Sequence, residues 1–199
     1  MSVNAGYFEQ LFASSDDPWQ FRTRWYERRK RDLIMACLPR QHYETVFEPA
    51  CANGELSAAL APRCEKLLCQ DGDPTAVRLA RERLVDAPQV QVEQGWLPAD
   101  WPDGTFDLIV LGEIGYYLSA ADWCQVIARA RDCLTPAGAV LACHWLAPID
   151  GCALDGRQVH ALLEQHLPLP CVLRHEEAQF VLELWSRESL TFDLQETCR

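Results

Sequence analysis

The chain has 199 residues, 49% of them hydrophobic and 24% charged, with a formal net charge of −11. That length suits one α/β domain with a full core rather than two, and the composition is that of a folded chain rather than a disordered one. The acidic balance speaks against nucleic acid as the main partner, and no apolar run has the length of a membrane span or the form of a secretory leader.

Tyr7 to Phe12 reads as a short helix with aromatics on one side. Ser14-Ser15-Asp16-Asp17-Pro18-Trp19 is a turn and a helix start. The dense basic run Arg22 to Arg31 continues into the apolar helical stretch Asp32 to Leu38, which Pro39 ends. The ordinary reading of such a run is a solvated helix face. The first sheet strand climbs from Val46 to Glu48. Pro49-Ala50-Cys51-Ala52-Asn53-Gly54 follows as a turn of small residues, and a helix opens after Gly54. The loop carries so little side chain that backbone and ligand can meet. About 20 residues on, Leu67 to Asp71 is a second strand ending in an acid, the spacing at which a nucleotide-binding βαβ half hydrogen-bonds ribose.

Pro74 to Leu84 has apolar positions at helical spacing, and Val90 to Gln94 alternates as a short strand. Gly95-Trp96-Leu97-Pro98 ends that strand. Phe106 to Gly112 is a nearly unbroken apolar run, as in a parallel strand buried on both faces, and Glu113 follows it. Ser119 caps a helix read as Ala120 to Leu134. Thr135 to Gly138 reads as a turn, and Ala139 to Trp145 as another buried strand. Asp155 to His166 is helical, and Cys171 to Glu176 with Phe180 to Ser186 form a terminal β-hairpin. The ten cysteines make no C-x-x-C pair, so they read as reduced thiols in a cytoplasmic protein, not as metal ligands or a disulfide framework.

The G-x-G-x-x-G dinucleotide fingerprint and the phosphate loop with G-K-[ST] are both absent. What remains, Glu48, Ala50, Ala52 and Gly54 followed by Asp71, resembles the first motif of the class I S-adenosylmethionine methyltransferases, with Ala at two glycine positions. Phe106-Asp107-Leu-Ile-Val resembles the family's fourth strand, and Leu134-Thr-Pro136-Ala137-Gly138 its L-x-P-G-G turn. Asp17-Pro18-Trp19, Trp25 to Arg31, Leu38-Pro39-Arg40, Glu48-Pro49, Gly54-Glu55-Leu56, Tyr116-Tyr117-Leu118 and His144-Trp145 together resemble the nodulation-protein-S (NodS-like) methyltransferases, enzymes that N-methylate the free amine of a deacetylated chitooligosaccharide. The expected fold is Rossmann-like. It has a mostly parallel sheet flanked by helices and closed by an antiparallel C-terminal hairpin, in a single domain over residues 1–199. Residues 1–40 are expected to form a helical cap over the cofactor cleft.

The resemblance implies S-adenosylmethionine as cofactor and S-adenosylhomocysteine as product. It implies that Glu48 faces the methionine amino group, that Asp71 takes the ribose hydroxyls, and that Ala50, Gly54, Gly72 and Gly112 let the backbone approach. Trp96, where many relatives have Asp, stacks on the adenine or plugs the core, and backbone near Trp96 and Leu97 holds the base. Trp19, Tyr26 and Arg29 are expected to close over the cofactor from the N-terminal helix, an Arg there giving its carboxylate a bidentate partner. Gly115, where relatives carry an apolar side chain, is expected to widen the acceptor pocket. Glu113 and His144 are the candidates to take a proton from an amine acceptor or to hold it, and Tyr116 to orient it. The expected reaction moves a methyl group to a small polar acceptor, most plausibly an amine of a sugar-like molecule. The alternatives are O- or N-methylation of an unrelated metabolite, and a cofactor-binding regulatory protein without catalysis. Neither the acceptor nor the oligomeric state is legible in the sequence.

Overall fold

The computed structural model describes residues 2–188. Two helices come first, α1 (Ala5–Ser14) and α2 (Trp25–Cys37). The sheet unit follows as β1 (Tyr43–Pro49), α3 (Glu55–Leu60), β2 (Cys64–Asp71), α4 (Pro74–Arg83), β3 (Val90–Gln94), β4 (Phe106–Gly112), α5 (Ala120–Asp132), β5 (Leu134–Trp145), α6 (Gly156–His166), β6 (Cys171–Glu176) and β7 (Phe180–Ser186). Short 3-10 turns lie at Ala61–Arg63 and Gly115–Tyr117.

The described residues form one seven-stranded sheet in the order β3-β2-β1-β4-β5-β7-β6. Its first five strands are parallel, and β7 runs antiparallel to β5 and β6. The order reverses between β1 and β4. There the two chain crossovers leave in opposite directions and open a crevice at the strands' carboxyl ends.

Strand periodicity divides the core into two layers. Val46, Leu67, Cys69, Leu108, Val110, Leu141 and Cys143 point one way, against α2, α3 and α4 through Ile34, Leu60, Val77 and Ala80. Phe47, Ile109, Leu111, Val140 and Ala142 point the other way, against Trp123, Val126 and Ile127 of α5 and Val159 and Leu163 of α6. Burial on both faces is why β4 and β5 read as continuous apolar runs rather than alternating ones.

Three local expectations need correction. No helix starts at Pro18-Trp19; the helix begins only at Trp25, because Asp17 takes the Phe21 and Arg22 amides at 2.8 and 3.0 Å and holds them in a turn. α5 ends at Asp132, where the Cys133 amide closes on the Arg129 carbonyl. Thr135–Gly138 is not a free turn. β5 already begins at Leu134, which pairs with Phe106, and a register irregularity between Phe106 and Leu108 absorbs the extra residues. The capped helix after Asp155 and the terminal hairpin stand where the sequence placed them; Asp155 and Gln158 close a capping box. Among the described residues no helix is long and apolar enough to cross a membrane, and the nine described cysteines are free.

Candidate active site

A cavity of about 490 Å³ opens at the reversal point, within the size range of small-molecule sites. Its floor is the ends of β1, β2 and β4, and its roof is α1, the following turn and α2.

The loop after β1 is held in an unusual backbone. Ala50, Ala52 and Gly54 all have positive φ, at 56°, 48° and 78°. L-residues cost about 1–2 kcal/mol each in that region, so something must hold the two alanines there. Asp71 is part of the answer, since its Oδ2 accepts the Ala52 amide at 2.9 Å while Oδ1 accepts the Asp73 amide at 3.0 Å. The two Ala-for-Gly changes therefore leave the turn intact. Burial pushes the Asp71 carboxyl up to about 6, against the pull of those amides. Gly54 does not line the cavity. A Cβ there would meet Ala80 at 3.1 Å, so the glycine serves packing of the α3 start on α4 rather than ligand approach.

Glu48 is buried on the floor. Ser57 and Cys69 stand beside it, but only the Cys69 thiol, at 3.8 Å, meets hydrogen-bond geometry. Burial pushes this carboxyl up to about 8. A buried acid with so few donors is receptive to an incoming cation. Asn53 hydrogen-bonds Asp17 through Nδ2 at 2.9 Å, which ties the loop to the roof, while its buried Oδ1 has no partner among the described residues. Trp96 lies on the Gly72 backbone, where a Cβ would meet the indole at 2.3 Å, with the Phe8 ring 5.9 Å away. Leu97 lines the same wall, and the Trp96 amide is taken by Asp100.

The other end of the cavity is polar. Glu113 follows β4 with φ at 56°, an uncommon conformation for a non-glycine residue and one that gathers at functional sites. Its Oε1 accepts from Lys30 Nζ at 2.8 Å; its Oε2 accepts from the Tyr116 hydroxyl and, at 3.4 Å, from the Trp145 amide. Lys30 also pairs with Glu27 at 2.9 Å. Both α2 residues are buried. Burial pulls the Lys30 ammonium down, but Glu113 and Glu27 outweigh it and hold the group above its ordinary range. Burial and Glu113 likewise push the Tyr116 hydroxyl well above its usual value.

Trp19, Tyr116, Gly72 and Gly112 line the cavity; Tyr26, Arg29 and His144 do not. Tyr26 packs edge-on to Trp145 and Phe180, with its ring under Lys30 and its buried hydroxyl without a partner among the described residues. Arg29 turns to β6–β7 and binds Glu177 through two hydrogen bonds of 2.8 and 2.6 Å. His144 points to the α5–α6 side of β5, since strand neighbours alternate and it is Cys143 and Trp145 that reach the cavity. It is fully buried, and burial first and His160 second hold its imidazole well below the usual value. Gly115 also faces away, because a Cβ there would meet Val159 at 2.4 Å, so it does not widen the pocket. The sequence reading missed Glu27, Lys30 and Arg24. Arg24 lines the roof and no side-chain partner is found for it among the described residues.

A parallel sheet reversed at β1/β4, two acids at the ends of β1 and β2 and an antiparallel last strand define a nucleoside-binding domain of the methyltransferase type. Comparison with known proteins agrees. The model of the methyltransferase domain family matches residues 46–138. A candidate methyltransferase from Pseudomonas syringae of known crystal structure is 51% identical, covering 82% of this chain and all of that one, with a TM-score of 0.75. The crystal structure of N-methyltransferase NodS from Bradyrhizobium japonicum WM9 with S-adenosyl-L-homocysteine is 23% identical, covering 91% and 96%, with a TM-score of 0.81. Nodulation protein S of Rhizobium tropici is 28% identical over 131 residues, 63% of this chain and 53% of that protein. The match thus spans about half the length of the nodulation protein S relatives. The chain belongs to the class I S-adenosylmethionine-dependent methyltransferases, and among them it is similar to nodulation protein S.

Proposed function

We propose that this protein binds S-adenosylmethionine across the ends of β1 and β2 and methylates an amine on a small polar acceptor held near Glu113. When bound, the cofactor supplies an activated methyl group and its own thioether leaving group, so the acceptor needs only a lone pair. Asp71 offers its carboxylate to the ribose hydroxyls, Glu48 its buried carboxyl to the methionine ammonium, and the Trp96–Leu97 wall its apolar surface to the adenine. In place of Arg29, Arg24, which has no side-chain partner among the described residues, is a roof cation able to meet a carboxylate.

The observation that carries the choice of an amine is the charge of the inner cluster. Glu27 and Glu113 against Lys30 leave one negative charge in surplus. Methylation of a neutral amine moves the sulfonium's positive charge onto nitrogen, so a site of surplus negative charge is matched before and after transfer. An anionic oxygen acceptor would instead be repelled by that surplus. No histidine is among the described residues lining the cavity, and both Glu113 oxygens are already engaged, by Lys30, Tyr116 and the Trp145 amide. Glu113 therefore holds and orients the amine, which arrives unprotonated, and the product's proton leaves to solvent. Tyr116 and Trp145 line the cavity beside Glu113, so an acceptor held there meets aromatic residues as well as the carboxylate.

The test is incubation with S-adenosylmethionine and deacetylated chitotetraose or other small amines, with S-adenosylhomocysteine as the readout. Turnover that rises with pH and is lost in Glu113→Gln is expected. Cofactor binding without turnover of any amine would favour the regulatory alternative.

A further inference from the structure

Behind the cavity, on the α5–α6 side of the sheet, four polar side chains form a line that the proposed chemistry does not use. The Gly115 amide donates to His144 Nε2 at 3.0 Å. His144 Nδ1 lies 3.1 Å from His160 Nε2, and His160 Nδ1 lies 2.6 Å from Glu183 Oε2. Glu183 Oε1 accepts from Arg174 at 2.5 Å. His144, His160 and Glu183 are buried, and only Arg174 reaches solvent.

The first link fixes all the others. A nitrogen that accepts an N–H carries no proton, so His144 is protonated on Nδ1 alone. Its Nδ1–H must donate, which makes His160 Nε2 an acceptor and puts the His160 proton on Nδ1, facing Glu183. An imidazolium at His160 would reverse the middle bond and set an Nε2–H of His144 against the Gly115 N–H.

We propose that His144, His160 and Glu183 are positioning residues that hold the Gly115–Tyr117 turn, and through it the Tyr116–Glu113 hydrogen bond, in place for the acceptor. Gly115 begins the turn that carries Tyr116, and its Cα sits so close to Val159 and His144 that no side chain fits. Glu113 and Tyr116 stand on either side of that anchored amide. The relay rests on the reading of Glu113 as the acceptor's partner, but its geometry is testable without an acceptor.

Nitrogen-15 NMR of the histidine side chains should show the Nδ1–H tautomer for both His144 and His160. His160→Phe should release the His144 tautomer and speed amide exchange at Gly115 by about tenfold or more, leaving Leu108 and Ile109 in the sheet unchanged. His160→Gln, which can accept from His144 and donate to Glu183, should restore both. Turnover of deacetylated chitotetraose should fall by about tenfold or more in His160→Phe and recover in His160→Gln, while calorimetric affinity for S-adenosylhomocysteine stays within about twofold. An Nε2–H tautomer at His144 in the wild type, or unchanged Gly115 exchange in a folded His160→Phe variant, overturns the relay. The wild-type spectrum decides the tautomer whether or not the Phe variant folds. Failure of the wild type to bind S-adenosylhomocysteine would overturn the functional reading and leave the relay to be judged by the spectra.

Discussion

Lys30 Nζ sits between two carboxylates, 2.8 Å from Glu113 and 2.9 Å from Glu27, and ties the roof helix α2 to the end of β4. Removing one partner from a buried ionic cluster leaves uncompensated charge, at a cost of about 3–5 kcal/mol. Lys30→Met should therefore lower unfolding free energy by about 3 kcal/mol, Glu113 being partly exposed. Adding Glu27→Gln should recover part of that loss. Chemical denaturation checks both variants; an unchanged midpoint in Lys30→Met would mean the cluster contributes little.

Ala50 and Ala52 hold positive φ values that glycine adopts without strain. Relief of about 1–2 kcal/mol is partly offset by the greater backbone entropy glycine loses on folding, about 0.5–1 kcal/mol. Ala52→Gly should thus raise stability by about 0.5–1 kcal/mol, read as a higher melting temperature. A lower melting temperature would show that the alanine methyl makes packing contacts worth more than the strain.

Two acids give the protein a distinctive pH response. Glu48 and Asp71 have carboxyls raised to about 8 and about 6 in the folded chain, both above their ordinary values. A raised acid binds more protons folded than unfolded, so its stabilising contribution is full below the unfolded pKa and is lost as pH rises through the folded one. Stability without cofactor should fall from about pH 4.5 to about pH 8. An ammonium placed on Glu48 favours its charged form, so S-adenosylhomocysteine binding at about pH 6.5 should release up to about one proton. Calorimetry in buffers of different ionisation enthalpy measures this directly. Heats independent of the buffer would place the ligand's ammonium elsewhere.

The roof is fastened to the cofactor loop at few points. Asp17 joins the Phe21 and Arg22 amides to Asn53, and Arg22 and Arg31 lie 3.9 and 3.8 Å from Glu55. The segment ahead of α2 has few anchors and opens readily, so residues 16–24 should exchange quickly without ligand and slowly with S-adenosylhomocysteine. Asp17→Ala should remove most of that difference. Equal, slow exchange in both states would make the roof a permanent part of the core.

Much of this was legible because strands ending in acids are a one-dimensional signal. Val46 to Glu48, Leu67 to Asp71 and Phe106 to Glu113 each run apolar and stop at a carboxylate, and all three meet at the crevice. Side-chain direction was less legible. Where a strand is buried on both faces, hydrophobic pattern does not say which face a residue takes, so the sequence alone cannot separate His144 from Cys143 and Trp145, which line the cavity. The α2 face was hidden for the opposite reason. Glu27, Lys30 and Ile34 form its buried stripe, and a stripe that is two-thirds ionic reads as solvated until its partner Glu113 is in place. Arg29, one residue from Lys30, faces β6–β7 instead.

Asp71 holds the loop through the Ala52 amide, and in the proposed cofactor site it also presents its carboxylate to the ribose. Calorimetric titration with S-adenosylhomocysteine of the wild type and Asp71→Ala tests that role most directly. Loss of the acid leaves two ribose hydroxyls unpaired, so the variant should bind about 2–3 kcal/mol more weakly. Equal affinity in the two proteins would contradict the placement of the ribose at the end of β2.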